Sequence, residues 1–146
     1  MIRPALRRTL LPFLLLAAAL LPSPAEAGRR VAFVVGAGAY VNVPKLPNPP
    51  RDARAIAAVL TKLGFETTVL LDPDRLSFER AIRTFGRQVE GSEAAVFYYA
   101  GHALEAGGRN ALLPVGAKIE SGRDVPYETI DLDLVLNEVD GRTKTL

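Results

Sequence analysis

His102 is the residue best suited by type to acid–base chemistry, and it is the only histidine in the 146-residue sequence. An imidazole changes its charge near neutral pH, so it can act as a general base or a general acid where most side chains cannot. A lone histidine more often has a structural role, and its place in the fold must decide between the two. Because a metal centre needs several ligands, we expect no metal site, and we expect no cofactor.

The sequence contains no cysteine. This excludes disulfides, thiolate metal sites, iron–sulfur clusters and a cysteine nucleophile supplied by these residues. A reaction that pairs His102 with a thiol would therefore need the thiol from another segment or chain.

Two further segments carry residues of possible functional use. Gly36 to Tyr40 is a glycine-containing run after an apolar stretch, as in phosphate-binding loops. However, Val41 stands where the third glycine of the dinucleotide-binding fingerprint belongs, and a proline-rich loop follows in place of a helix. A tight turn is the simpler interpretation. The second segment, Asp72 to Asp74, is predicted to form a turn and a helix cap.

Hydrophobic patterning predicts a single α/β domain. Apolar residues make up 49% of the chain, enough to bury one core. Apolar runs predict buried strands at 31–35 and 94–99, and loose apolar alternation predicts a strand at 65–71. Apolar spacings of three and four predict helices capped by Asn48, Asp74 and Asp131. Alternating strands and helices predict a parallel sheet, in which sites form beyond the carboxyl ends of the strands. His102 follows the third strand and is predicted to lie at that edge.

The segments after His102 are predicted to be less regular. Gly107-Gly108 indicates a two-residue hairpin turn between short strands at 103–105 and 110–113. Residues 114–130 are polar and are predicted to be irregular. Lys144 to Leu146 are predicted to approach another strand.

Residues 1–27 have the pattern of a signal peptide. Three arginines precede an apolar stretch of twelve residues, Leu10 to Leu21, and Ala25-Glu26-Ala27 matches a cleavage site. Twelve apolar residues are too few to span a hydrocarbon core of about 30 Å, so no stable membrane anchor is expected. We expect export to the periplasm or secretion, with a mature chain that begins at Gly28.

The charge of the mature domain argues against a nucleic-acid partner. The net charge of +2 belongs to the signal segment, because residues 28–146 contain 15 lysines and arginines and 15 aspartates and glutamates. These residues include no basic run and no basic patch interleaved with aromatic residues.

Three motifs together give a resemblance to a known family. YYAGH at 98–102, LPNPPRDA at 46–53 and GRNALLPV at 108–115 occur in the order and spacing of bacterial caspase-like domains of the caspase and metacaspase family. The resemblance covers the chain from Arg30 to Leu146. It implies a three-layer α/β/α fold of the caspase-haemoglobinase type with a mostly parallel sheet, of which residues 28–146 would supply the first three strands and their helices.

The resemblance also implies peptide-bond hydrolysis by a His/Cys dyad. His102 matches the dyad histidine, the general base and acid, and Gly101 belongs to the same motif. The backbone N–H of Ala103 matches a donor of the oxyanion hole. Asp52 matches the acid that binds a substrate arginine or lysine in metacaspase-like members. Asp52 also fits an acid at a helix start, worth about 0.3–1 kcal/mol, and both interpretations stay open.

The chain departs from the family pattern at the nucleophile and at four other positions. At those four positions the family usually has other residues: glycine in place of Ala103, asparagine in place of Ala37, an aromatic residue in place of Ala111 and aspartate in place of Gly116. They concern substrate contacts more than the fold. The cysteine of caspases lies about 50 residues after the histidine, whereas 44 residues follow His102. We expect a segment past Leu146, or a second chain, to supply the cysteine-bearing strand.

Two classes of function remain open from the sequence. The first is a caspase-like cysteine endopeptidase that acts on peptide or protein substrates, with the 146 residues inactive alone. The alternative is a non-catalytic pseudo-protease or a module that binds a peptide or a partner chain. The open edge of the third strand favours the first class, because a stable pseudo-enzyme would keep the fourth strand and lose only the thiol.

Overall fold

The computed structural model describes residues 28–143, so the signal-peptide prediction at 1–27 and the strand predicted to approach at 144–146 lie outside the described residues. The elements in chain order are β1 Arg30–Gly36, α1 Pro49–Lys62, β2 Phe65–Leu71, α2 Arg75–Val89, β3 Ala94–Ala100, β4 Ala103–Ala106, β5 Arg109–Leu112, α3 Val125–Glu128, β6 Ile130–Asp131 and α4 Leu132–Val139. No helix within this range is long and apolar enough to cross a membrane.

A parallel three-stranded sheet in the order β2-β1-β3 forms the centre of the domain. β1 is the middle strand, and its residues from Val31 onward are all buried. The prediction of a parallel α/β sheet is confirmed. The prediction that β3 is a buried strand is wrong, since β3 is half-buried along its whole length. The alternating strand predicted at 65–71 forms β2, which is partly exposed. Both are edge strands within the described residues, so each has one side without a neighbour.

Helices cover both faces of this sheet and make three layers. On one face, Ala53 and Ala57 of α1 pack against Val34. On the other face, α2 and α4 enclose Phe33, which is 0% exposed. The apolar spacing of three and four that predicts this helix is confirmed in α2, because four of its apolar side chains face that core: Phe78, Ile82, Phe85 and Val89. The small alanines bring α1 close to the strands, and the large aromatic residues fill the opposite layer.

The predicted helix caps are confirmed at two of three positions. The Asp74 carboxylate accepts the N–H of Ser77 at 2.7 Å, and Asp131 accepts the N–H of Asp133 at 3.0 Å. Asn48 precedes α1, but its side chain makes no capping bond to the helix. Its backbone is already helical there, so the carbonyl and not the side chain accepts the first N–H groups of α1.

A small antiparallel sheet, β4-β5-β6, extends from the end of β3. The predicted hairpin is confirmed, with Gly107 and Gly108 at φ of +61° and +79° as a type I′ turn requires. The prediction that residues 114–130 are irregular is wrong in part, because this stretch contains α3 and the first residue of β6. Both elements are too short to show a hydrophobic period, and β6 forms because Ile130 pairs with Leu112 and is fully buried.

Candidate active site

The carboxyl ends of the three parallel strands bring the sequence-predicted segments together. Gly36 is in register with Leu71 on one side and Ala100 on the other. The N–H of Ala37 donates to Ala100 O at 2.8 Å, and the N–H of Asp72 donates to Gly36 O at 2.8 Å. The segments that follow β1, β2 and β3 therefore meet at one edge of the sheet, as predicted for parallel strands.

Asp72 holds the glycine-containing loop that follows β1. One carboxylate oxygen accepts the N–H groups of Gly38 and Ala39 at 2.7 and 2.9 Å. Asp72 has a φ of +49°, a left-handed conformation that aspartate tolerates better than most residues. Backbone N–H groups that a phosphate would need are thus occupied by a carboxylate of the same chain. This geometry supports the tight-turn interpretation of Gly36 to Tyr40.

His102 lies partly buried just past the end of β3. Its ring Nε2 is 2.8 Å from the carbonyl oxygen of Pro44, in the loop between β1 and α1. A carbonyl oxygen only accepts, so Nε2 carries a proton and Nδ1 holds the lone pair of the neutral ring. The bond to Pro44 O therefore leaves Nδ1 as the ring nitrogen with a free lone pair.

Ala103 is the first residue of β4, and the ladder register decides where its N–H points. The N–H of Leu113 donates to His102 O at 3.0 Å, which makes these two residues a hydrogen-bonded position of the ladder. Ala103 and Leu112 form the next pair, a non-hydrogen-bonded position. The N–H of Ala103 is therefore directed away from β5.

Two tyrosines that the sequence reasoning missed surround the His102 backbone. The N–H of His102 donates to the Tyr40 hydroxyl at 2.7 Å, and the Tyr99 hydroxyl donates to His102 O at 2.8 Å. The Tyr40 ring also packs 4.7 Å from the imidazole, centroid to centroid. The sequence showed Tyr40 as part of a glycine loop and Tyr99 as strand core. A useful signal was that Tyr99 stands at the end of a predicted strand and Tyr40 in the loop after another, where a hydroxyl can reach a site.

Gly101 has no room for a side chain. A Cβ at this position would lie 2.5 Å from the Tyr99 hydroxyl oxygen and 2.6 Å from that of Tyr40. The glycine of the YYAGH motif is therefore required by the two hydroxyls.

The substitution Gly101→Ala should destabilise the domain by about 1–3 kcal/mol, the usual cost of overpacking. The free energy of unfolding in urea measures this effect. Gly122→Ala is the matched control, because a Cβ there meets no atom within 4 Å. Equal effects of the two substitutions would contradict the steric argument.

The two tyrosine hydroxyls also predict a dependence of stability on high pH. Burial raises the pKa of Tyr99 well above its usual range, and it raises the pKa of Tyr40 as well. The folded protein thus keeps phenolic protons that the unfolded chain loses near pH 10. This stabilisation is complete below about pH 10 and is lost as the pH rises through the folded-state pKa values.

We expect the free energy of unfolding to fall above about pH 10, and to fall less steeply in Tyr99→Phe, because one raised pKa is removed. Urea unfolding at several alkaline pH values measures the slope. Tyr98→Phe, on the opposite face of β3 against α1, should keep the wild-type slope. An unchanged slope in Tyr99→Phe would show that this hydroxyl is not responsible.

Asp52 lies in the first turn of α1, at the same edge of the sheet as His102. Its N–H donates to Asn48 O at 3.0 Å, and its carboxylate lies 3.8 Å from Arg51 Nε. The side chain is 47% exposed, so it is accessible to a ligand. These contacts fit an acid at a helix start, and the role of Asp52 in substrate binding stays a prediction.

Comparisons with known proteins agree with this architecture. Residues 29–146 match the family model of the caspase domain. Over 88 residues the chain is 31% identical to mucosa-associated lymphoid tissue lymphoma translocation protein 1 of Homo sapiens, and equally to the homolog of Mus musculus. Each match covers 60% of this chain and 11% of the relative, so the chain spans about a tenth of the length of these curated relatives. Because the family model covers most of its residues, the chain belongs to the caspase-domain family of peptidases.

Proposed function

We propose that this chain is the histidine-bearing part of a caspase-like cysteine endopeptidase. His102 activates a cysteine thiol that comes from a segment outside the 146 residues, which contain no cysteine. The observation that carries the proposal is the bond from Nε2 to Pro44 O, since it leaves Nδ1 as the base at the carboxyl edge of the sheet.

The geometry supports a complete sequence of proton transfers. Nδ1 removes the thiol proton, and the thiolate forms a bond to the carbonyl carbon of the substrate. The N–H of Ala103 donates to the oxyanion. The imidazolium, held by Pro44 O, then protonates the leaving amine as the C–N bond breaks. A water molecule, deprotonated by His102, then attacks the acyl carbon. The C–S bond breaks, the carboxylic acid leaves, and the imidazolium returns its proton to the thiolate.

The free side of β3 is where a cysteine-bearing strand would bind. Within residues 28–143, β3 pairs with β1 alone, and all its residues are half-buried. An unpaired strand with partly exposed apolar residues readily pairs with another strand. A parallel strand on that side would end next to His102, which supports the delivery of the thiol from that position.

The test uses a joined protein, in which the chain is fused to the cysteine-bearing remainder of a caspase domain. Its hydrolysis of arginine- and lysine-containing peptides is measured. We expect cleavage by the joined protein and none by the 146-residue chain. A cysteine→Ala variant of the joined protein is the control. Hydrolysis by the 146-residue chain alone, abolished in His102→Ala, would contradict the need for an outside thiol. Peptide binding without hydrolysis by the joined protein would favour the binding-module alternative, which the missing cysteine also suggests.

Asp52 supplies a preference for basic residues before the scissile bond. In the joined protein, Asp52→Ala should lower the ratio of kcat/KM for an arginine substrate over an alanine substrate by about tenfold, as loss of one charged hydrogen bond predicts. Asp133→Ala removes an exposed acid from the first turn of α4 and is the matched control. An unchanged preference in Asp52→Ala would leave Asp52 as a helix-start acid only.

Export is proposed from the pattern of residues 1–27, with a mature protein that begins at Gly28. N-terminal sequencing of the protein recovered outside the cytoplasm tests this proposal. An intact Met1 on that protein would contradict cleavage.

A further inference from the structure

We infer that Tyr40 and Tyr99 are positioning residues for His102, because their hydroxyls hold both backbone polar groups of the histidine. The inference rests on the proposed role of His102 as the general base. We call the two hydroxyls, the His102 backbone and Leu113 O the tyrosine clamp.

Hydrogen-bond donors and acceptors balance within the tyrosine clamp. The Tyr40 hydroxyl accepts from His102 N–H at 2.7 Å and lies 3.2 Å from Leu113 O. The Tyr99 hydroxyl lies 2.8 Å from His102 O and 2.9 Å from Leu113 O. If Tyr99 donates to His102 O and Tyr40 donates to Leu113 O, each proton has an acceptor. The clamp thus ties the turn after β3 to the end of β5.

The clamp is held in place by the packing of its two tyrosine rings. Tyr40 is 1% exposed and packs in a core with Ala37, Leu113 and Ala117. Tyr99 stacks on Phe78 of α2 with ring centroids 6.1 Å apart. Each hydroxyl is therefore fixed by the layer behind it, and neither tyrosine can turn away without losing its packing.

The clamp acts on the features of His102 that the reaction uses. Tyr40 fixes the backbone N–H and also places its ring against the imidazole. This holds Nε2 within hydrogen-bonding distance of Pro44 O. Because Tyr99 and Leu113 both donate to His102 O, the same clamp fixes the peptide plane that ends in the N–H of Ala103. One network thus positions the base and the proposed oxyanion donor together.

NMR of the full chain tests the clamp without any catalytic readout, since His102 is its only histidine. The chain is labelled with ¹⁵N, together with any unlabelled polypeptide needed to complete the sheet. In Tyr40→Phe, hydrogen exchange of the His102 amide should accelerate by about tenfold or more, because its acceptor is lost. The Nε2 proton should exchange faster as well. Tyr98→Phe, which removes the hydroxyl of the preceding tyrosine on the other face of β3, should leave both rates unchanged.

A general loss of stability would accelerate exchange throughout the sheet, so amides of β1 report whether Tyr40→Phe is still folded. Acceleration confined to His102, Ala103 and Leu113 supports the clamp. Unchanged exchange at His102, or the same acceleration in Tyr98→Phe, overturns it.

Activity separates this inference from the proposed function. In the joined protein, Tyr40→Phe should lower kcat by about tenfold and leave KM within about twofold, because His102 is misplaced while substrate contacts remain. If the NMR result holds and the joined protein cleaves nothing, the proposed function fails and the clamp stands. If the protein cleaves and Tyr40→Phe changes neither exchange nor kcat, the clamp fails alone.

Discussion

Replacing His102 with alanine should lower kcat/KM for peptide cleavage by about 10²–10⁴-fold in the joined protein, the range for loss of a general acid–base group. The thiol then loses the atom that takes its proton, and the leaving amine loses its proton donor. A steady-state assay with an arginine-containing fluorogenic peptide measures the effect.

The control for His102→Ala is Asn110→Ala, an exposed position on β5 of the same hairpin. It should keep wild-type activity. The free energy of unfolding in urea of both variants should lie within about 0.5 kcal/mol of the wild-type value, because neither side chain fills the core. Retention of full activity by a folded His102→Ala variant would exclude the histidine from catalysis.

The substitution Phe33→Ala should have the largest effect on stability and lower the free energy of unfolding by about 3–5 kcal/mol. The Phe33 side chain is 0% exposed at the middle of β1. Its ring lies 5.6 Å from that of Phe85, 5.7 Å from that of Phe97 and 6.2 Å from that of Phe78, centroid to centroid. Removal of the ring leaves a cavity that these neighbours cannot fill, since Phe78 and Phe85 are held by α2 and Phe97 by β3. Urea unfolding measures the loss.

Phe65→Ala is the matched control for Phe33→Ala. Phe65 begins the edge strand β2 and is only partly buried, with Arg30 over its ring at 5.4 Å. Its removal should cost about 1 kcal/mol, in the range of an exposed cation–π contact. Equal losses for the two phenylalanines would contradict the placement of the core around Phe33.

The main elements follow from local patterns. The stripe of Phe78, Ile82, Phe85 and Val89 and the apolar run of β1 both continue over several residues, so the hydrophobic period identifies them. β6 and α3 were missed because two and four residues are too short to show a period. The half-exposure of β3 depends on its having a strand on one side only, whereas its apolar run alone predicts a buried strand.

Some features of the candidate site could likewise be predicted from the sequence, and others could not. His102 could be identified from its residue type and from its place after an apolar strand. The Pro44 carbonyl could not, because every residue has a carbonyl and only the fold brings this one within 2.8 Å of the ring. The tyrosine hydroxyls are a further example, since Tyr40 and Tyr99 are 59 residues apart in the chain.

The sequence by itself determined the class of fold, the helix stripes, the hairpin turn and the histidine at the end of β3, because each depends on residues that are neighbours in the chain. Only the tertiary structure decided which nitrogen of His102 keeps its lone pair, why Gly101 cannot carry a side chain and where the N–H of Ala103 points. Those properties depend on β1, β3 and β5 ending side by side, and contacts between distant segments arise only when the sheet is assembled.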